Sequence, residues 1–94
     1  MKVSEVTLQN VKDSVGFSGN GSDALFHVYM SAALSFIAGY TGLTAEEIDA
    51  HEDITIAYLC LVGDMFMNRY TTVENDRLNP TVKQILSLYA VNYL

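Results

Sequence analysis

From Ile54 to Met67 the chain reads ITIAYLCLVGDMFM, a run whose single charged side chain is Asp64, and its apolar character continues through Tyr70. The run falls short of the roughly 20 apolar residues that span a bilayer. It is also more apolar all round than a helix resting on the surface of a core. At helical spacing its residues divide into two stripes, Ala57, Tyr58, Leu61 and Met65 on one side and Ile56, Leu59, Cys60, Gly63, Phe66, Met67 and Tyr70 on the other. Two apolar stripes require two sets of neighbours, so residues 54–70 are expected to form a central helix packed from several sides.

The totals agree with a small helical body that has apolar surface to spare. The 94 residues are expected to form one domain, residues 1–94, and a domain of this size buries only about 60–65% of the surface its unfolded chain exposes. Half of the residues are apolar and 17% are charged, which leaves apolar area for another subunit to cover. The net charge is -6, and the five basic residues, Lys2, Lys12, Arg69, Arg77 and Lys83, are scattered. No basic patch offers the phosphate neutralisation on which tight nucleic-acid binding depends. Cys60 lies inside the apolar run and has no second cysteine to pair with, so a buried thiol in a reducing compartment is expected. MKVSEVTLQN lacks the apolar core of a secretory signal, and the mature chain is expected to be the whole chain.

Before the central run, Ser4 is expected to cap a short N-terminal helix. Residues 13–22 contain Gly16, Gly19, Asn20 and Gly21 and form a connector; no phosphate-binding GxxxxGK[ST] or GxGxxG pattern is present. Ser22 or Asp23 opens a second helix with Leu25, Val28, Tyr29, Ala32, Phe36 and Tyr40 on one face and Phe26, Met30, Ala33 and Ile37 on a second. Ser31, Ala32, Ala33 and Ser35 are small enough to admit the central helix closely, and Gly42 suits a left-handed stop. Thr44 and Glu47 form a capping box, and Glu46, Glu47, Asp49, Glu52 and Asp53 crowd the approach to the central helix. Asn79 and Pro80 then cap and open a last helix whose apolar face carries Val82, Ile85, Leu86, Tyr89 and Val91. The expected fold is all-α, three main helices with a short one in front.

Catalytic and metal-binding patterns are weak. His51 beside Glu47, Glu52 and Asp53 is a single histidine among solvated acids, short of the ligand spacing of a transition-metal site, and no EF-hand pattern occurs. His27 sits in the apolar pattern of the second helix and is expected to be a partly buried packing residue. Asp64 could serve as an acid or base if its pKa were raised; its expected use is pairing with Arg69 or Arg77, within the subunit or across a subunit contact. No cofactor and no metal are expected, and no membrane contact.

Three stretches carry a family resemblance. Residues 23–42, DALFHVYMSAALSFIAGYTG, open on Asp23, hold the Ala32 and Ala33 pair mid-helix and close on Tyr40, Thr41 and Gly42. Residues 57–69, AYLCLVGDMFMNR, run from an alanine through leucine and valine to an acid, an aromatic and an Asn-Arg ending, and NPTVKQIL over 79–86 is followed by Asn92 and Leu94. In order and spacing these stretches resemble the helices of the small head-to-tail connector proteins of tailed bacteriophages, which are also DNA-packaging adaptors. The Gly16 to Gly21 loop departs from the shorter acidic turn common in that family.

The resemblance implies a non-enzymatic subunit of a ring beneath the portal protein that joins capsid to tail, contacts tail-side completion proteins and lets DNA pass without specific binding. It implies a place at the head-tail junction of a virion, and in the bacterial host cytoplasm during assembly. An acidic inner wall would suit such a channel, since it repels the DNA backbone. Asp64, Arg69, Arg77, Tyr89, Tyr93 and Leu94 are the candidate contact residues between subunits or to partners. Two other classes fit the residues alone: a small acidic helical module that binds a protein partner, and a small acid-base enzyme built on Asp64.

Overall fold

The computed structural model describes residues 1–67 and 79–90. Among the described residues every regular element is helical: a 3-10 turn at Val3–Glu5, then α1 (Leu8–Val15), α2 (Asp23–Thr41), α3 (Ala45–Asp49), α4 (Glu52–Met67) and α5 (Pro80–Ser87). The all-α expectation holds. α4 starts two residues before the expected Ile54, where Glu52 and Asp53 occupy the first turn and favour its partly positive N-terminus; positions 68–70 of the expected helix lie outside the described residues.

α4 is the element the others cover. α2 packs along it, α1, α3 and the 3-10 turn meet it at further positions, and α5 lies against it as well. Its Ile54, Ala57 and Val62 are fully buried, with Tyr58 and Leu61 nearly so, whereas the second expected stripe is not fully covered: Ile56 and Met67 are 55% and 71% exposed and Leu59, Cys60, Gly63 and Phe66 are half-buried. α1 comes close to α4 at Gly63, where a Cβ would stand 3.4 Å from Val15 Cγ1. From α2 come Phe26, Ala33 and Ile37, from α5 Val82 and Leu86, and from α1 Val11, all without solvent exposure.

The second of the two α2 stripes is therefore the core stripe. Leu25, Val28 and Phe36, expected on a packed face, are 37%, 60% and 37% exposed; α4, α1 and α5 all meet this 19-residue helix, and the side chains they leave buried are Phe26, Ala33, Ile37 and Thr41. The small residues divide in the same way, Ala33 facing inward while Ser31, Ala32 and Ser35 are exposed. His27 is exposed too, contrary to the expectation of partial burial.

The N-terminal helix begins later than expected. Ser4 lies inside the 3-10 turn, and the cap of α1 is Thr7, whose hydroxyl accepts the Asn10 N–H while the Asn10 side chain accepts the Thr7 N–H, at 3.1 and 2.9 Å. This is a capping box with Asn in the place usually held by Glu or Gln. The expected stops and starts elsewhere are present, except that Ser22, at the N-cap of α2, makes no side-chain capping hydrogen bond. Gly42 closes α2 at φ 73°; Thr44 and Glu47 exchange hydrogen bonds of 3.0 and 3.2 Å at the head of α3; the Asn79 side chain accepts the Thr81 N–H at 2.8 Å, with Pro80 as the first residue of α5. Buried Thr41 completes the α2 terminus by donating to the Ile37 carbonyl at 2.7 Å and accepting the Leu43 N–H at 3.2 Å.

α1 runs on to Val15 and ends at Gly16, whose φ of 69° is a left-handed conformation that costs glycine little. The loop that follows is pinned twice. Phe17 enters the core edge-on to Phe26 and Phe66, with ring centroids 5.5 and 5.4 Å apart, while Phe26 and Phe66 stack at 4.7 Å. Lys12, 5% exposed, reaches across to Asp23 at 2.9 Å and Asn20 at 3.3 Å.

Two stability predictions follow from this packing. Phe26→Ala removes a fully buried ring from the three-ring cluster and should lower the unfolding free energy by about 3–5 kcal/mol, whereas Val28→Ala on the opposite side of α2 should change it by no more than about 0.5 kcal/mol; urea titration of both variants compares the two faces. At the loop, Asp23→Ala leaves the Lys12 ammonium buried with Asn20 as its remaining partner and should cost about 1–3 kcal/mol. Lys12→Met, which removes the buried charge and keeps the stem, should cost less than Asp23→Ala in the same titration.

Candidate functional site

Three surfaces carry the features on which function could rest. The first is the outward side of α2. After Asp23 this helix has no acidic or basic residue other than His27, and Ala24, Val28, Ser31, Ala32, Ser35 and Gly39 follow one another along its exposed side. Leu25 and Phe36 flank that strip, and Phe36 stacks on Tyr40 at 5.7 Å. By length and composition α2 is long and apolar enough to cross a membrane, and 22% of its most apolar window is buried inside the fold. It is a core helix on one side and an uncharged exposed ridge on the other.

The second surface is the acidic corner where α3 turns into α4. Asp49 accepts the Ser4 N–H at 3.0 Å, which fastens the N-terminal 3-10 turn to this corner, and Thr55 donates to the Met1 carbonyl at 2.6 Å. Asp53 accepts the Tyr89 hydroxyl, and His51 stacks on the Tyr89 ring at 4.2 Å. Most of the acids are thus hydrogen-bond acceptors for neighbouring segments. Among the described residues no group of three or more His, Cys, Asp or Glu side chains is placed to hold a metal ion.

The third is an open groove of about 300 Å³ lined by Ser14, Val15, Leu59, Cys60, Gly63, Asp64, Met67 and Asn79. Asp64 is half-buried on its wall. The Cys60 thiol is pushed above its ordinary pKa by burial first and by Asp64 second, so the thiol form is favoured over the nucleophilic thiolate.

The structure separates the candidate contact residues. Asp64 and Tyr89 sit near opposite ends of α4, since Tyr89 meets Asp53 and the eleven-residue step from Asp53 to Asp64 spans about 16 Å of helix axis. Arg69, Arg77, Tyr93 and Leu94 lie outside the described residues, and with them the expected Asp64 pairing. The outward face of α2 had no place among the candidates. Its sequence signal is a second apolar stripe on a helix that has room for one buried stripe.

Across this arrangement the solved structures hold a counterpart. The chain has the fold of bacteriophage HK97 gp6. The two superpose with a TM-score of 0.78 over 95% of this chain and 96% of that one, at 20% sequence identity. No protein-family model matches the chain, and no curated protein matches it by sequence.

The acidic corner yields a pH prediction. Glu47 is held below its ordinary 4.5, chiefly by the Thr44 backbone N–H and then by the Thr44 side chain, and Asp49 below its ordinary 3.8 by the Ser4 side chain and then its backbone N–H. Depressed carboxyl pKa values in the folded state mean that the stabilisation is present above the unfolded values and lost as pH falls through the folded ones. Stability should therefore decline as pH is lowered from about 4.5. Thr44→Ala, which removes the lesser, side-chain contribution and keeps the backbone N–H, should flatten that decline in part in denaturant titrations between pH 6 and pH 3 (about the carboxylate range).

Proposed function

We propose that this chain is a structural subunit of a phage head-to-tail connector. In this reading one domain over residues 1–94 packs head to tail with copies of itself into a ring beneath the portal protein, joins capsid to tail and lets DNA pass, without catalysing a reaction. The observation that carries the proposal is the fold correspondence with a bacteriophage protein along nearly the full length of both chains, taken with the order of the Asp23 to Gly42, Ala57 to Arg69 and Asn79 to Leu86 stretches that resemble the connector family.

The surface supports assembly in a specific way. A head-to-tail contact joins two different patches and closes into a ring when the rotation per subunit divides the circle. The uncharged ridge of α2 is one patch that loses little on burial, because it holds no ionised side chain to desolvate. The net charge of -6 suits a wall past which DNA slides without sticking. The partners of this reading are further copies, the portal protein and tail-side completion proteins, at the head-tail junction of the virion and in the bacterial host cytoplasm during assembly.

The test measures self-association and portal binding together, because a weak pairwise contact becomes sufficient when a preformed portal raises the effective concentration. Sedimentation of the chain over a wide concentration range, alone and with a cognate portal assembly, should show a ring or a portal-capping complex. Val28→Asp, which sets a charge on the exposed ridge, should weaken either complex by tenfold or more (about 1.4 kcal/mol or above) with an unchanged helical spectrum. A chain that stays monomeric at high concentration and ignores the portal would overturn the proposal and favour a helical module for some other protein partner.

A further inference from the structure

α5 meets the rest of the molecule through few buried side chains. It has eight residues, and isolated helices shorter than about 12 residues are marginal in water, so it keeps its helical form by docking. Val82 and Leu86 are its fully buried anchors and Ile85 is half-buried, whereas Leu88, one residue beyond its end, is 71% exposed. Polar contacts gather at that end. The Tyr89 hydroxyl donates to the Asp53 carboxylate, with both oxygens in reach at 2.7 and 2.8 Å. The ring lies on His51 with 30° between planes. The Tyr89 N–H remains tied to the helix through the Leu86 carbonyl at 3.1 Å, and Ser87 meets the Tyr40 hydroxyl at 3.3 Å.

We infer that Tyr89 is a latch, and that α5 opens from α4 as a unit when the latch is broken while α1, α2 and α4 stay folded. The geometry supplies each part. A hydrogen bond from a phenol to a carboxylate is among the stronger kinds, since its acceptor is ionised. It joins the end of one helix to the start of another across 36 positions of sequence, so this one bond closes the outer edge of the α4–α5 contact. A short helix with two full anchors is the sort of segment that opens below the global unfolding free energy. Asp53 also pushes the Tyr89 phenol above its ordinary pKa, first through this hydrogen bond, which is the direction expected when the protonated phenol is the bound form. The latch stands independently of the connector reading.

Native-state hydrogen exchange on the full chain tests it. Tyr89→Phe keeps the ring and removes the donor; Asp53→Asn keeps the shape and removes the charge. Tyr89→Phe should speed exchange of the α5 amides around Leu86 on the order of tenfold, the loss of one hydrogen bond to a charged group. Asp53→Asn, whose amide oxygen can still accept from the phenol, should speed it by less, with the α2 amides around Ile37 unchanged and the double variant no faster than Tyr89→Phe. Unchanged α5 exchange in both variants overturns the latch. So does a parallel rise in α2 and α5, which would mean that α5 opens only with the whole molecule. Should Tyr89→Phe fail to fold, Asp53→Asn alone decides between these outcomes.

Discussion

The broad buried side of α4 is the constraint around which the other described elements are arranged, while Ile56 and Met67 of the same helix stay exposed. α4 buries Ile54, Ala57, Tyr58, Leu61 and Val62, and α1, α2, α3, α5 and the 3-10 turn all lie against it. None of α1, α3 and α5 exceeds eight residues, so none reaches the length at which helices become stable alone. Their order comes from the apolar area they cover on α4, assisted by caps at their starts. A substitution that makes one side of α4 polar would accordingly undock a neighbour as well as unsettle the centre.

What could be read from the residues alone was whatever is decided locally. Gly42, the Thr44 and Glu47 pair, and Asn79 with Pro80 act within one turn of chain, and the structure places all of them where their chemistry suggests. The start of α1 was hidden because Asn10 takes the capping-box role that Glu or Gln usually fills. The buried side of α2 was not legible for a different reason. Both its stripes are apolar, and the choice between Phe26, Ala33 and Ile37 on one hand and Leu25, Val28 and Phe36 on the other is made by where α4 lies. A helix with two apolar sides states that it has two surroundings and leaves open which of them is the core.

The candidate contact residues show the same limit. Tyr89 reads in sequence as one more aromatic on the last helix; in the fold its hydroxyl is committed to Asp53 and its ring to His51. Partnerships across 36 positions depend on the path of the whole chain and leave no trace in local spacing. The outward face of α2, by contrast, is visible in hindsight as an excess, a run from Ala24 to Thr41 without a single acid, lysine or arginine. Charge has instead been concentrated at the turn from α3 into α4, where Thr44 and Ser4 supply hydrogen-bond donors to two of the carboxylates. The two ends of the polarity scale therefore sit on different elements, which gives the molecule an asymmetric surface.

The loop between α1 and α2 has a consequence for how the sequence can vary. Its fixed points are Phe17, set among Phe26 and Phe66, and the buried Lys12, which holds Asn20 and Asp23; a Cβ added at Gly16, Gly19 or Gly21 would touch nothing within 4 Å. The conformational restriction at Gly16 and Gly19 comes from their positive φ, and Gly21 has neither restriction. Lengthening a loop is thermodynamically mild, about 0.6 kcal/mol for each doubling. Insertions between Phe17 and Asn20 would thus lengthen the corner while Phe17 and the lysine bridge continue to hold its two sides.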